Sequence, residues 1–250
     1  MTGLEGVAVV AAGLAAGTVN TIVGSGSLIT FPTLLAVGYP AVVANVSNTI
    51  GLVPGSVSGA VGYRRELAGQ RGRVLALAVP AVLGGLLGGG LLLALPGSVF
   101  RHVVPVLILL AVVLVLVQPQ VARRRAASGR QRETVSLPLQ LGTFAAAIYG
   151  GYFGAAQSVI LLAMMSISLD DDLQRLNGVK NVLNAVVNAA AAVLFIFAAH
   201  VAWLAVVLLL IGSVVGGQLG AVLGRRIPAQ LLRLLIAAVG TVVALWLLLS

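Results

Sequence analysis

The chain has 250 residues, 60% of them hydrophobic and 8% charged, with a net charge of +9 and a mean hydropathy of +1.11. So few charges cannot cover a soluble domain of this size, and the chain reads as an all-α polytopic membrane protein. It contains no cysteine, which excludes disulfides and thiolate metal sites, and no cofactor is expected; the arginines fall in short loops, which marks membrane topology and speaks against nucleic-acid binding.

Met1 to Glu5 carries no basic region, so no cleavable signal peptide is expected. Residues 6–23 form a first apolar segment, Gly24-Ser-Gly-Ser27 interrupts it, and Leu28 to Val37 is a further half-span. About 20 residues are needed to cross a bilayer as a helix, so the pair reads as a hairpin or a broken helix. Segment two (about 41–63) carries Asn45, Ser47, Asn48, Thr49, Pro54 and Ser56, and Arg64, Arg65, Arg71 and Arg73 surround the loop after it. Segments three (about 74–95, rich in glycine) and four (99–117) follow. The division expected is a first transmembrane repeat over 1–122, a basic cytoplasmic linker over 123–136 with Arg123, Arg124, Arg125, Arg130 and Arg132, and a second repeat over 137–250.

The second half restates the first. An apolar run over 137–153 is broken at Gly154-Ala-Ala-Gln-Ser158, and 159–169 is a second half-span. Asp170-Asp-Asp172 caps a helix over 173–199, where carboxylates suit the positive end of the helix dipole. Segments over 201–223 and 231–249, separated by Arg225-Arg-Ile-Pro228, end the chain. One offset aligns the halves: 177 − 45 = 132 pairs Asn45 with Asn177. The same shift pairs Gly84, Gly85 and Gly88 with Gly216, Gly217 and Gly220, Pro96 with Pro228, and Arg101 with Arg233. If each broken segment makes no net crossing or two, all three arginine-rich loops fall on one side. That predicts two inverted repeats of about five helical elements each, or 8–10 membrane segments, with cytoplasmic arginines and both termini outside.

The helix over 173–199 carries Asn177, Lys180, Asn181, Asn184 and Asn188 within an arc of roughly 100°. Lys180 is the one lysine of the chain. Polar groups in so apolar a chain are costly unless they face a cavity or one another, so this stripe reads as a site. The two breaks would each present a half-helix N-terminus, with Ser25, Gly26, Ser27, Gln157 and Ser158 as donors. The amide helices, with Asn45, Asn48, Asn177, Asn181 and Asn184, would face them, and Lys180 would add one positive charge. This donor set holds no carboxylate and predicts a small anion bound near the pseudo-symmetry centre. Alternatives stay open: plain turns at the glycines, asparagines that only join helices, and a Lys180 that snorkels to the interface. The six acidic residues lie in loops or at ends, so no intramembrane proton relay is evident.

The stretch from Gly24-Ser-Gly-Ser27 through Gly38-Tyr-Pro40 to Asn45-Val-Ser-Asn-Thr49, with Pro54-Gly55 and Gly62-Tyr-Arg64, resembles the sulfite exporter TauE/SafE family. Gly150-Gly-Tyr-Phe-Gly154 and Asn177-Gly-Val-Lys-Asn181 look like its matching second-half motif, although Ala155-Ala-Gln-Ser158 stands where more glycine is usual. The resemblance implies a non-enzymatic transporter of the bacterial plasma membrane that moves sulfite, sulfoacetate or related organosulfonates by alternating access. The expected partners are the lipid bilayer, the anionic substrate and, for coupling, a proton or sodium ion; a homo-oligomer is compatible. A channel, a carrier of a non-sulfur anion and a membrane-embedded structural or assembly protein are the alternatives.

Overall fold

The computed structural model describes residues 1–126, 134–224 and 229–249. The described residues form ten helices: α1 (Gly3–Ile22), α2 (Ser27–Ala36), α3 (Ala41–Gly62), α4 (Arg71–Ala94), α5 (Gly97–Ala126), α6 (Leu137–Tyr152), α7 (Gln157–Ser168), α8 (Leu173–Ala198), α9 (Trp203–Leu223) and α10 (Ala229–Leu249). Helices satisfy every backbone group internally, which a hydrocarbon environment demands. Five have stretches long and apolar enough to cross a membrane: α1, α4, α8, α9 and Gly97–Val117 of α5. On α4, Leu75, Val79, Leu83 and Leu87 recur every fourth residue and are exposed, as a lipid-facing stripe should be.

The helix ends follow local rules. Thr2 and Glu5 form a capping box at the start of α1. Of the three aspartates expected to cap α8, Asp172 does so, accepting from the Gln174 amide at 2.8 Å. α5 continues past Val117 through Arg123, Arg124 and Arg125 to Ala126. Arg130, Arg132, Arg225, Arg226 and Pro228, and the side chains of Arg123 to Arg125 and of Arg233, lie outside the described residues.

Both predicted breaks are present, between α1 and α2 and between α6 and α7. Gly24 (φ 99°), Gly154 (φ 78°) and Ala156 (φ 60°) adopt left-handed backbone there, which reverses the chain. Each pair, α1 with α2 and α6 with α7, is a hairpin. The Tyr39 hydroxyl, after α2, lies 4.0 Å from the Met1 sulfur, before α1. Thr134 and Val135, before α6, share a cavity wall with Asp170 and Asp171, after α7. α3 (Ala41–Gly62) begins just after Tyr39 and ends just before Tyr63, whose hydroxyl donates to Gln174 Oε1 at 3.2 Å at the start of α8. The two hairpins therefore open at opposite ends of α3, one at the Tyr39 end and one at the Asp171 end.

Packing is exchanged between the halves. α1 lies on α9 as α6 lies on α4; α3 lies on α9 as α8 lies on α4; α2 meets α10 as α7 meets α5. The matched glycines make this possible by letting backbones approach closely. A Cβ on Gly84 or Gly88 would overlap the α6 backbone at Phe144 or Ile148, and one on Gly216 or Gly220 would overlap α1 at Leu14 or Thr18. Gly85 meets α8 at Val187, and Gly217 meets α3 at Gly55. Three glycines spaced as Gly-Gly-x-x-Gly thus join the same kinds of helices in each half.

Candidate functional site

The hairpin tips meet in the middle of the bundle. A Cβ added to Gly24 would fall within the Ser158 side chain and 3.2 Å from the Val159 nitrogen. The Gln157 side chain folds back over Gly150, where a Cβ would overlap its carboxamide. Ser25, Gln157 and Ser158 are all buried. Among the described residues, the two serine hydroxyls and both polar atoms of the Gln157 carboxamide have no hydrogen-bond partner. A buried polar group without a partner costs about 1–3 kcal/mol, so four such atoms at one junction call for a ligand or water. Next to them begin α2 and α7, where the amides of Leu28 and Ile29 donate to the carbonyls of Ser25 and Gly26, and that of Val159 to the carbonyl of Ala156.

Each amide helix reaches one of these tips. From α3, Asn48 Nδ2 donates to Ser27 Oγ at 3.1 Å, and Asn48 Oδ1 accepts from the Thr30 hydroxyl. Asn48 thereby pins the first turn of α2, as expected of a residue facing that half-helix. The α8 stripe does something different. Lys180 Nζ donates to the carbonyls of Asn20 (3.0 Å) and Thr21 (3.2 Å), and Asn177 and Asn181 donate to the same Thr21 carbonyl at 3.1 and 3.2 Å. These carbonyls belong to the last turn of α1. That turn has no further helix to satisfy it, and its negative dipole end suits a cation. The face expected at half-helix N-termini therefore serves the C-terminal end of α1. Lys180 is fully buried and does not snorkel.

The other half repeats the contact with fewer donors. Asn45, offset by 132 from Asn177, donates to the Tyr152 carbonyl at the end of α6 at 2.9 Å. Each amide helix thus holds the C-terminal end of the opposite hairpin's first arm. The Oδ1 atoms of Asn45 and Asn177 are buried and have no partner among the described residues. Asn184 lies deeper and shares Ser56 Oγ (2.9 Å) with Asn20 (3.2 Å), joining α8, α3 and α1. Ser25, Gly26, Ser27, Asn48, Gln157 and Ser158 gather at the tips, while Asn45, Asn177, Lys180 and Asn181 stand behind them.

Sequence reasoning missed Asn20, Thr21, Thr30 and an aromatic cluster. Asn20 and Thr21 had a usable signal, because they precede the break by less than one turn and their carbonyls must find donors. The cluster had none. Phe31 packs edge-on against Phe153 (centroids 5.4 Å apart) and Phe100 (6.4 Å), three residues from α2, the second tip and α5. His102 and His200 are exposed near helix ends. Among the described residues no group of His, Asp and Glu could hold a metal ion.

At the far end of the bundle, Asp171 joins the two halves. It accepts from Gln70 at 2.8 Å, from Arg175 at 2.8 Å and from Arg73. Partial burial raises its pKa, but the hydrogen bonds from Gln70, Arg73 and the Asp172 amide and the charge of Arg175 outweigh that. The carboxyl is held below its ordinary range.

The profile of the family described as sulfite exporter TauE/SafE matches residues 9–247. The probable membrane transporter protein YfcA of Escherichia coli K12 is 29% identical over 232 residues, covering 92% of this chain and 84% of that protein. A probable membrane transporter protein of Haemophilus influenzae is 26% identical over 84% of this chain and 81% of its own length. For the probable membrane transporter protein ORF9 of a Sinorhizobium species the figures are 25%, 93% and 88%. No solved structure matches the chain.

Proposed function

This chain belongs to the sulfite exporter TauE/SafE family of membrane transporters, and from that premise we propose that it carries small sulfur-containing oxyanions across the bacterial plasma membrane by alternating access. The observation that carries this reading is the junction of the hairpin tips. Ser25, Ser158 and Gln157 place two hydroxyls and a carboxamide there without protein partners. A sulfite or sulfonate group has three oxygens that accept hydrogen bonds, and a half-helix N-terminus favours its charge. No carboxylate stands among these residues to repel it.

Alternating access is supported by the arrangement of the halves. Two hairpins enter from opposite ends, the packing is exchanged between halves, and the tips touch at Gly24 and Ser158. That is what an inverted repeat with a midplane site would look like. Ser25, Gln157 and Ser158 are buried in this conformation, while Ser27 and Gly154 are half-buried. Arg64, Arg65, Arg71 and Arg73 lie at the Asp171 end, and the positive-inside rule makes that end cytoplasmic. The Tyr39 end, with the N-terminus, then faces outward.

The test is thermal stabilisation of the purified protein by sulfite, sulfate, sulfoacetate, taurine and matched carboxylates. A ligand that binds the folded state raises the melting temperature by mass action, by about 2.7 kcal/mol of stability at 100 times its Kd. A sulfur oxyanion should stabilise the protein, and Ser158→Ala with Gln157→Ala should abolish the effect. No shift with any anion at millimolar concentration would overturn the site.

A further inference from the structure

A cavity of about 800 Å³ opens at the Tyr39 end of the bundle, away from the hairpin tips. Phe31, Tyr39, Ser98, Arg101, His102 and Trp246 are among its lining residues, and no lining residue is acidic. Arg101 supplies its positive charge. The neighbouring His102 ring is tied by Nδ1 to the Ser98 carbonyl at 2.7 Å. Arg101 lies at the opposite end from Arg64, Arg65 and Arg73, so the positive-inside rule does not account for it. A lone arginine on the wall of an apolar-floored cavity raises the local concentration of anions.

The cavity floor is one residue from the candidate site. Phe31 lines the cavity and Thr30, its neighbour on α2, donates to Asn48. The Phe31 ring lies edge-on to Phe153, the residue before Gly154 at the second hairpin tip, with the planes at 88°. Phe31, Phe100 and Phe153 are each 1% exposed, so the cluster separates the cavity from the tips.

We infer that this cavity is a recruiting vestibule for small oxyanions, with Arg101 as its charge and the contact between Phe31 and Phe153 as the barrier between it and the hairpin tips. The ligand is a small singly or doubly charged oxyanion in passage, held by charge and not by shape. The inference deepens the transport reading above and rests on it for the destination of the anion.

The chain has no cysteine, so a single one can be introduced without background. Ser98→Cys puts a thiol on the vestibule wall of the full-length protein in lipid nanodiscs. Its labelling rates with a sulfonate-bearing and a trimethylammonium-bearing methanethiosulfonate are compared, each divided by the rate with a free thiol. The anionic reagent should be favoured by about tenfold at low salt, and the preference should fall at 1 M salt. Arg101→Gln should remove it and Arg101→Lys should retain it. Equal normalised rates, or a preference unchanged in Arg101→Gln, would overturn the vestibule. For the barrier, Ser25→Cys should resist the anionic reagent and become reactive with Phe31→Ala or Phe31→Leu. Labelling of Ser25→Cys that neither substitution changes would overturn it. Because labelling requires no transport, charge preference without anion-induced stabilisation would leave the vestibule standing and sink the transport reading. The converse result would do the opposite.

Discussion

Lys180 on α8 donates to the Thr21 carbonyl on α1 at 3.2 Å, and Asn177 and Asn181 donate to the same oxygen. One carbonyl at the end of α1 thus collects the Lys180 amino group and two amides from the opposite half of the chain. The contact fixes where α1 stops and the hairpin turns. It also places the Lys180 amino group behind the tips and not between them.

Lys180→Met keeps the stem and removes the donor. It leaves the Asn20 carbonyl without the ammonium and Thr21 with its amides alone, so about 1–3 kcal/mol of stability should be lost. Melting in detergent should fall accordingly. An equal loss in Asn181→Ala, with less than the sum in the double variant, would show that the two act on one carbonyl. A snorkelling lysine would give no loss at all.

Gly24→Ala faces two costs: the φ of 99° is unfavourable for alanine, and its Cβ would meet Ser158. Together these should cost at least about 2 kcal/mol. Ser158→Gly in the same chain should return the steric part and leave the backbone part. A double variant no more stable than Gly24→Ala would show that the tips do not touch as described.

Asp171→Asn tests the link between the halves at the arginine-rich end. The folded-state pKa of Asp171 is lowered, so its contribution is present above the ordinary carboxylate pKa and is lost as pH falls through the folded value. The melting temperature of the natural protein should therefore drop below about pH 4 more steeply than that of Asp171→Asn. High salt should narrow the gap between them at neutral pH. Parallel pH curves would count against the charge network.

Cysteines introduced at Arg65 and at Ser98 report orientation. In intact cells a membrane-impermeant thiol reagent should label Ser98→Cys and spare Arg65→Cys until the membrane is opened. The reverse pattern would invert the topology.

Membrane class, the two breaks, the boundaries of the amide helices and the paired glycines were legible in the chain, because each rests on a local or periodic pattern. The break at Gly24–Ser27 falls between α1 and α2, and the one at Gly154–Ser158 falls between α6 and α7. The roles of the stripe residues were legible only in part. Asn48 faces a half-helix N-terminus as its composition suggested, whereas Lys180 faces a C-terminus. An amide can accept from the free N–H groups at one end of a broken helix or donate to the free carbonyls at the other, and nothing local says which end lies opposite.

The sequence by itself determined that this is a helical membrane protein with two interrupted segments, since apolar length and the Gly-rich breaks are properties of the chain alone. Only the tertiary structure decided that the broken segments are hairpins, that their tips meet at Gly24 and Ser158, and that Lys180 secures the end of α1. The last two relations join residues more than a hundred positions apart. They are set by which backbones can approach closely enough at glycine, and by which carbonyls remain to be satisfied once the helices have packed.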